Sequence, residues 1–160
     1  MATKITKTKT KKLEKKQSKN KVGITKVMIF GTFDGVHKGH LNFFTQARNL
    51  AKNSYVIVSI ARDVNVKKIK GKLPFNNEKK RKLLVQKSKL VHKVVLSGLK
   101  NYIGHIKKEL PDVIALGYDQ KAYVKELKSN LNDKLKHVKI VRLKPYKEKI
   151  YKNSLLHAKK

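Results

Sequence analysis

Val27-Met28-Ile29-Phe30, followed at once by Gly31-Thr32-Phe33-Asp34-Gly35-Val36-His37-Lys38-Gly39-His40, is the stretch on which the fold turns. Four apolar residues without polar alternation suit a strand buried on both faces. A helical pattern from Leu41 to Ala51 starts directly behind the glycine-rich turn, and Tyr55 to Ala61 is again rich in β-branched residues. Strand, turn, helix and strand in that order open a βαβ unit.

The alternation continues to the far end of the chain. The pattern predicts a polar helix over Asn77–Val91, a strand at Lys93–Leu96, a helix at Tyr102–Leu110, a strand at Val113–Leu116, a helix at Lys121–Leu131 and a strand at His137–Leu143, with Pro111 and Pro145 punctuating loops. Five strands alternating with helices predict one doubly wound α/β domain with a five-stranded parallel sheet. In such folds the ligand lies beyond the carboxyl ends of the strands, which places the chemistry just after Phe30, Ile60 and Leu116.

Composition narrows the classes. With 160 residues the chain is about one domain long. Residues 1–26 carry ten Lys and one Glu among Thr, Ser, Gln and Asn, a composition that cannot repay the entropy of ordering and reads as a disordered Lys-rich tail. Residues 27–160 then form the domain. Lys and Arg number 41 against 10 acids, a formal charge of +31 that favours anionic partners. Only Arg48, Arg62, Arg81 and Arg142 are arginines, whereas nucleic-acid readers lean on Arg for bidentate and stacking contacts. The chain has no Cys, so disulfides, thiolate metal sites and a cysteine nucleophile are excluded. No apolar run reaches the ~20 residues of a membrane span, and no apolar segment backs the charged N-terminus as in a secretory signal, so a cytoplasmic protein is expected.

Gly31, Gly35 and Gly39 let backbone approach a ligand, the helix start offers N–H groups to phosphate, and two imidazoles three residues apart can face one anion. Together they describe a polyphosphate cradle. It is neither G-x-x-x-x-G-K-[ST] nor G-x-G-x-x-G, which removes a P-loop ATPase and a dinucleotide-dependent redox enzyme.

Gly31 to His40 resembles the H-x-G-H signature of the nucleotidyltransferase superfamily, in its small cytidylyltransferase-like branch. Ala61-Arg62-Asp63, Val66 to Gly71, Glu78-Lys79-Lys80-Arg81 and Pro111 to Gln120 are similar to archaeal-type FAD synthases, which are FMN adenylyltransferases. The likeness runs from Val27 to Gln120 and thins toward Ser154. It implies a Rossmann-like nucleotidyltransferase fold and transfer of AMP from ATP to the phosphate of FMN, with Mg²⁺, giving FAD and pyrophosphate. Small members of the branch are often dimers, so a homodimer is an expected assembly.

The resemblance also implies roles. Thr32 and Phe33 match backbone and side-chain contacts to ATP. His37 and His40, with Gly39 between them, match the catalytic pair that holds the triphosphate and stabilises charge on the α-phosphate and leaving group. Asp119 and Tyr146 match nucleotide contacts, and Ser154 stands where a last phosphate-contacting helix opens, although Asn153 departs from the usual small hydroxyl residue. Lys38 replaces a residue more often apolar and either touches phosphate or extends into solvent. Lys67, Lys68 and Lys70 read as a basic loop ending at Gly71, with at least one lysine facing the site. Asp119 equally suits an N-cap of the following helix. Asp34 is one carboxylate that could assist Mg²⁺, too thin a site to name metal ligands.

Two other readings compete. A cytidylyltransferase acting on glycerol 3-phosphate or a phosphorylated amino alcohol, using CTP, shares the cradle but usually carries an Arg in the tail loop, and none occurs from Lys144 to Ser154. A basic nucleic-acid-binding protein on the same scaffold fits the charge, but intact His37 and His40 argue against it.

Overall fold

In the computed structural model, residues 23–121, 124–131 and 135–152 are described. Most of the expected tail and the Asn153–Ser154 pair therefore lie outside the described residues. The elements run β1 (Thr25–Gly31), α1 (Lys38–Arg48), β2 (Ser54–Ile60), α2 (Asp63–Lys70), α3 (Glu78–Lys87), β3 (Lys93–Leu96), α4 (Tyr102–Glu109), β4 (Val113–Leu116), α5 (Val124–Leu131) and β5 (Lys139–Arg142). β1 opens two residues earlier than its apolar run, because Thr25 and Lys26 stay in register with Ser54 and Tyr55. Those two residues of the expected tail thus belong to the sheet.

All pairings are parallel and the strand order is β3-β2-β1-β4-β5. The chain winds outward from β1 through β2 to β3, then returns to the other side of β1 with β4. The β1/β4 boundary is therefore the switch point, where crossovers leave in opposite directions and open a crevice.

The unbroken apolar run of β1 has a direct cause in the layering. Side chains alternate between faces, so Val27 and Ile29 pack with Phe44 and Ala47 of α1 and Val85 of α3. Met28 and Phe30 pack on the opposite face with Ile106 of α4 and Leu127 of α5. Both faces are covered, so neither set of positions tolerates polarity. β2 repeats the pattern, with Val56, Val58 and Ile60 on the first face and Ile57 on the second.

The basic stretch expected as a loop is instead helix α2. Its Val and Asn residues are weak helix formers, but Gly71 in the left-handed region (φ 74°) ends the helix and its N–H donates to Lys67 O at 2.8 Å. A glycine stop behind Lys67, Lys68 and Lys70 is a C-terminal helix signal.

Candidate functional site

The turn after β1 is shaped by Phe33 rather than by glycine alone. Phe33 adopts a left-handed backbone (φ 49°) and turns its ring back under Gly31, where any Cβ would lie 2.6 Å from the ring. The ring is 4% exposed, belongs to the core, and meets the His40 imidazole edge-on at 5.1 Å. Phe33 thus supports His40 from below. Asp34 turns the other way: its carboxylate accepts from Phe75 N (2.5 Å), Asn76 N (2.8 Å) and Asn76 Nδ2 (3.0 Å). Asp34 fastens the loop ahead of α3 and does not line the cavity.

His37 is the N-cap of α1. Its Nδ1 accepts the Gly39 N–H at 3.1 Å, so the neutral ring carries its proton on Nε2, which becomes a donor. Its ring stacks on His40 with centroids 3.8 Å apart and planes 22° apart. Gly39 keeps this corner open, because a Cβ there would sit 3.0 Å from the His37 ring and 3.1 Å from Tyr151 Cβ. Tyr151 stacks on His37 from outside (6.1 Å, 21°), and Tyr146 stacks on Tyr151 (6.1 Å, 10°). The segment after β5 is thereby fitted against the helix start. Gln46 of α1 reinforces it, donating to Lys144 O and accepting from Lys144 N, both at 3.0 Å.

Burial, and then the neighbouring His37, push the His40 pKa down to about 3, with the Gly35 backbone opposing. His40 is therefore neutral in the empty folded chain at physiological pH. In the unfolded chain it titrates near its ordinary 6.5. The unfolded state binds the proton more readily, so the stability linked to this group is full above pH 6.5 and is lost as pH falls toward 3. Between pH 7 and pH 5 that loss is about 2 kcal/mol. Urea unfolding of the wild type and His40→Asn at both pH values should show their stability difference falling by that amount toward acid; parallel pH dependences would refute it.

A cavity of about 620 Å³ opens over the strand ends. Thr32, Phe33, His37, Gly39, His40, Asp119 and Tyr146 are brought together on its wall. Of the candidate lysines only Lys70 does, with Nζ 3.4 Å from Thr32 Oγ1. Lys38, Lys67 and Lys68 are exposed and off the wall, so Lys70 is the one lysine of the expected basic loop that faces the cavity. Lys100, Lys121, Lys144 and Lys152 take their place. Asp119, the only carboxylate on the wall among the described residues, lies 3.8 Å from Lys152. It occupies the turn after β4, and α5 as described begins five residues later, so it is not the expected helix cap.

Several site-building residues escaped the sequence reading. The buried guanidinium of Arg81 binds Asn76 O (3.0 Å), Thr32 O (2.5 Å), Ala61 O (2.6 Å) and Asp63 Oδ1 (2.7 Å). It clamps the ends of β1 and β2 together beneath the cavity. Arg142 Nη1 donates to Gly117 O (2.6 Å), Tyr118 O (3.3 Å) and Gln120 O (3.1 Å), fixing the turn that carries Asp119. Arginine's fork serves several carbonyls at once where a lysine ammonium is a point donor.

Chemically, the arrangement is an anion site. A helix N-terminus, imidazole donors and five lysines converge on one cavity, suited to holding a polyphosphate and stabilising charge that develops on it.

Comparison with known proteins agrees. The cytidylyltransferase-like family profile matches residues 28–154. A protein named FAD synthase from Korarchaeum cryptofilum is 42% identical over 119 residues, covering 74% of this chain and 80% of its own. Another FAD synthase, from Aciduliprofundum boonei, is 37% identical over 123 residues, covering 77% and 80%. Among solved structures, the lipopolysaccharide core biosynthesis protein of Thermoplasma volcanium superposes with a TM-score of 0.69 at 34% identity, over 78% of this chain and 99% of that one. A macrolide-efflux protein of Streptococcus pneumoniae shares the fold alone, with a TM-score of 0.58 at 17% identity over 89% of this chain and 54% of its own. The cradle, the switch point and these matches agree: the chain belongs to the cytidylyltransferase-like family, on the branch that holds FAD synthases.

Proposed function

We propose that the chain transfers AMP from ATP to the phosphate of FMN, giving FAD and releasing pyrophosphate. The observation that carries this reading is the stacked His37–His40 pair at the start of α1, opening into a cavity lined by lysines and by apolar and aromatic side chains. The charged lining suits a triphosphate and the apolar lining a flat ring system. The relatives named FAD synthase supply the reaction that joins them.

An FMN phosphate oxygen attacks the α-phosphorus in line with the departing pyrophosphate, so no protein nucleophile is needed and catalysis rests on positioning and charge neutralisation. His37 presents Nε2–H toward the phosphates, and neutral His40 stacks against it. Lys70, Lys100, Lys121, Lys144 and Lys152 neutralise the triphosphate and the leaving group. The described residues contain no cluster of three or more metal-ligating side chains. Mg²⁺ would come with the substrate as MgATP, with phosphate oxygens and water supplying most of its ligands, as this ion favours.

No described helix is long and apolar enough to cross a membrane, in keeping with a cytoplasmic enzyme acting on small phosphorylated substrates. Pyrophosphate release measured with ATP or CTP against FMN, glycerol 3-phosphate and phosphoethanolamine tests the reading. ATP with FMN should be the productive pair. Turnover with CTP and an alcohol phosphate alone would transfer the chain to the cytidylyltransferases. No turnover with any pair, beside tight RNA binding that falls steeply with salt, would remove the enzyme altogether.

A further inference from the structure

The phosphate chemistry gives no role to a polar pair on the face of the sheet opposite α1. Ser59, 1% exposed on β2, lies on the cavity wall, and its hydroxyl is 2.9 Å from Nε2 of His105 on α4. Burial holds the His105 imidazole below its usual range, with Glu109 opposing. A neutral imidazole can either give or take this hydrogen bond, and in each case the serine hydroxyl keeps capacity for one more partner.

Aromatic and apolar side chains share the lining with Asn65, Ser97 and Lys100. Phe30 and Tyr102 meet with ring centroids 5.3 Å apart and planes tilted by 46°, and Leu99 adds an apolar edge. A Cβ at Gly98 would fall 2.7 Å from Asn101 O and 3.5 Å from His105 Cβ, so the β3–α4 connection is tightly packed. Asn65 Nδ2 donates to Gly98 O at 3.1 Å and ties that connection to α2. A largely apolar wall with one adaptable hydrogen-bonding pair fits a planar heteroaromatic ring whose edge alternates donor and acceptor.

Resting on the FMN reading, we infer that the Ser59–His105 pair binds the imide edge of the acceptor's isoalloxazine ring and sets acceptor choice. The pair is distant in role from the histidines of the cradle: it selects the acceptor and leaves phosphate chemistry alone.

Quenching of flavin fluorescence, with a non-hydrolysable ATP analogue and Mg²⁺ present, reads FMN affinity without turnover. Ser59→Ala and His105→Ala should each weaken FMN binding about tenfold, the size of one buried hydrogen bond. The KM for ATP should stay within about twofold. His105→Gln, which keeps a donor and an acceptor, should recover part of the loss. Should His105→Ala fail to fold, Ser59→Ala, a smaller change on a rigid strand, decides the matter. Variants that bind FMN as the wild type does, or that weaken ATP equally, overturn the inference while the FMN reading stands. A wild-type chain that does not bind FMN overturns both.

Discussion

His37→Ala and His40→Ala should each lower turnover by about two to three orders of magnitude, the usual loss when a preorganised charge-stabilising donor is removed. The two variants differ in how they fail. His37 is also the cap of α1, accepting the Gly39 N–H, so His37→Ala should in addition cost about 1 kcal/mol of stability. His37→Asn separates the two roles. An asparagine caps a helix as well as any residue and should restore stability, but its shorter side chain does not place a donor where Nε2 stood, so turnover stays low. Because the rings stack 3.8 Å apart and serve one anion, the double alanine variant should lose far less than the product of the single losses. Near-wild-type rates in both single variants would move the chemistry elsewhere.

The parallel sheet was legible because burial on both faces leaves a plain mark: Val27 to Phe30 and Val56 to Val58 have little room for polarity, and Val113–Leu116 occupies the span its apolar run predicts. The cradle was legible because a turn that brings backbone to phosphate needs glycines and a helix start in one short segment. Charge was a poor guide. In a chain this rich in lysine, Lys38, Lys67 and Lys68 were singled out with Lys70 but are off the wall, whereas four of the five wall lysines follow β3, β4 and β5. Tyr151 stayed hidden for the same reason, since its contact with His37 depends on how the segment after β5 returns to α1.

Rarity proved the better signal. Against the lysine background an arginine marks a place where a point charge does not serve. Arg62 pairs with Glu78 (3.1 Å), Arg81 spans four acceptors and Arg142 gathers three carbonyls. The scarce acids behave likewise: Asp34 secures the 75–76 backbone and Asp112 accepts the Lys26 N–H at 2.8 Å.

Arg81→Met should destabilise the chain by about 3–5 kcal/mol, the cost of removing one partner from a buried ionic network. The Arg81 side chain is 0% exposed, while Asp63 retains 26% exposure. Asp63 can therefore recover some hydration and still accepts the Glu78 N–H at 3.1 Å. Asn76 O is buried and has no such recourse, and Thr32 O and Ala61 O lose the same donor, so the orphaned carbonyls add to the loss. Arg81→Lys keeps the charge but offers a single ammonium to acceptors spread over β1, β2 and the loop ahead of α3, so it should recover only a minor part. Asp63→Asn gives the complementary test: it removes the charge and leaves the carbonyl bonds, and should cost clearly less than Arg81→Met. Urea unfolding of the three variants checks the order. The functional consequence follows from Thr32, whose carbonyl Arg81 holds and whose residue begins the cradle. At temperatures where Arg81→Lys remains folded, its KM for ATP should rise, because the strand ends that position the phosphates are no longer fixed to each other. An Arg81→Met chain within 1 kcal/mol of the wild type would show that the clamp is dispensable and that packing of the two apolar layers alone sets the geometry of the site.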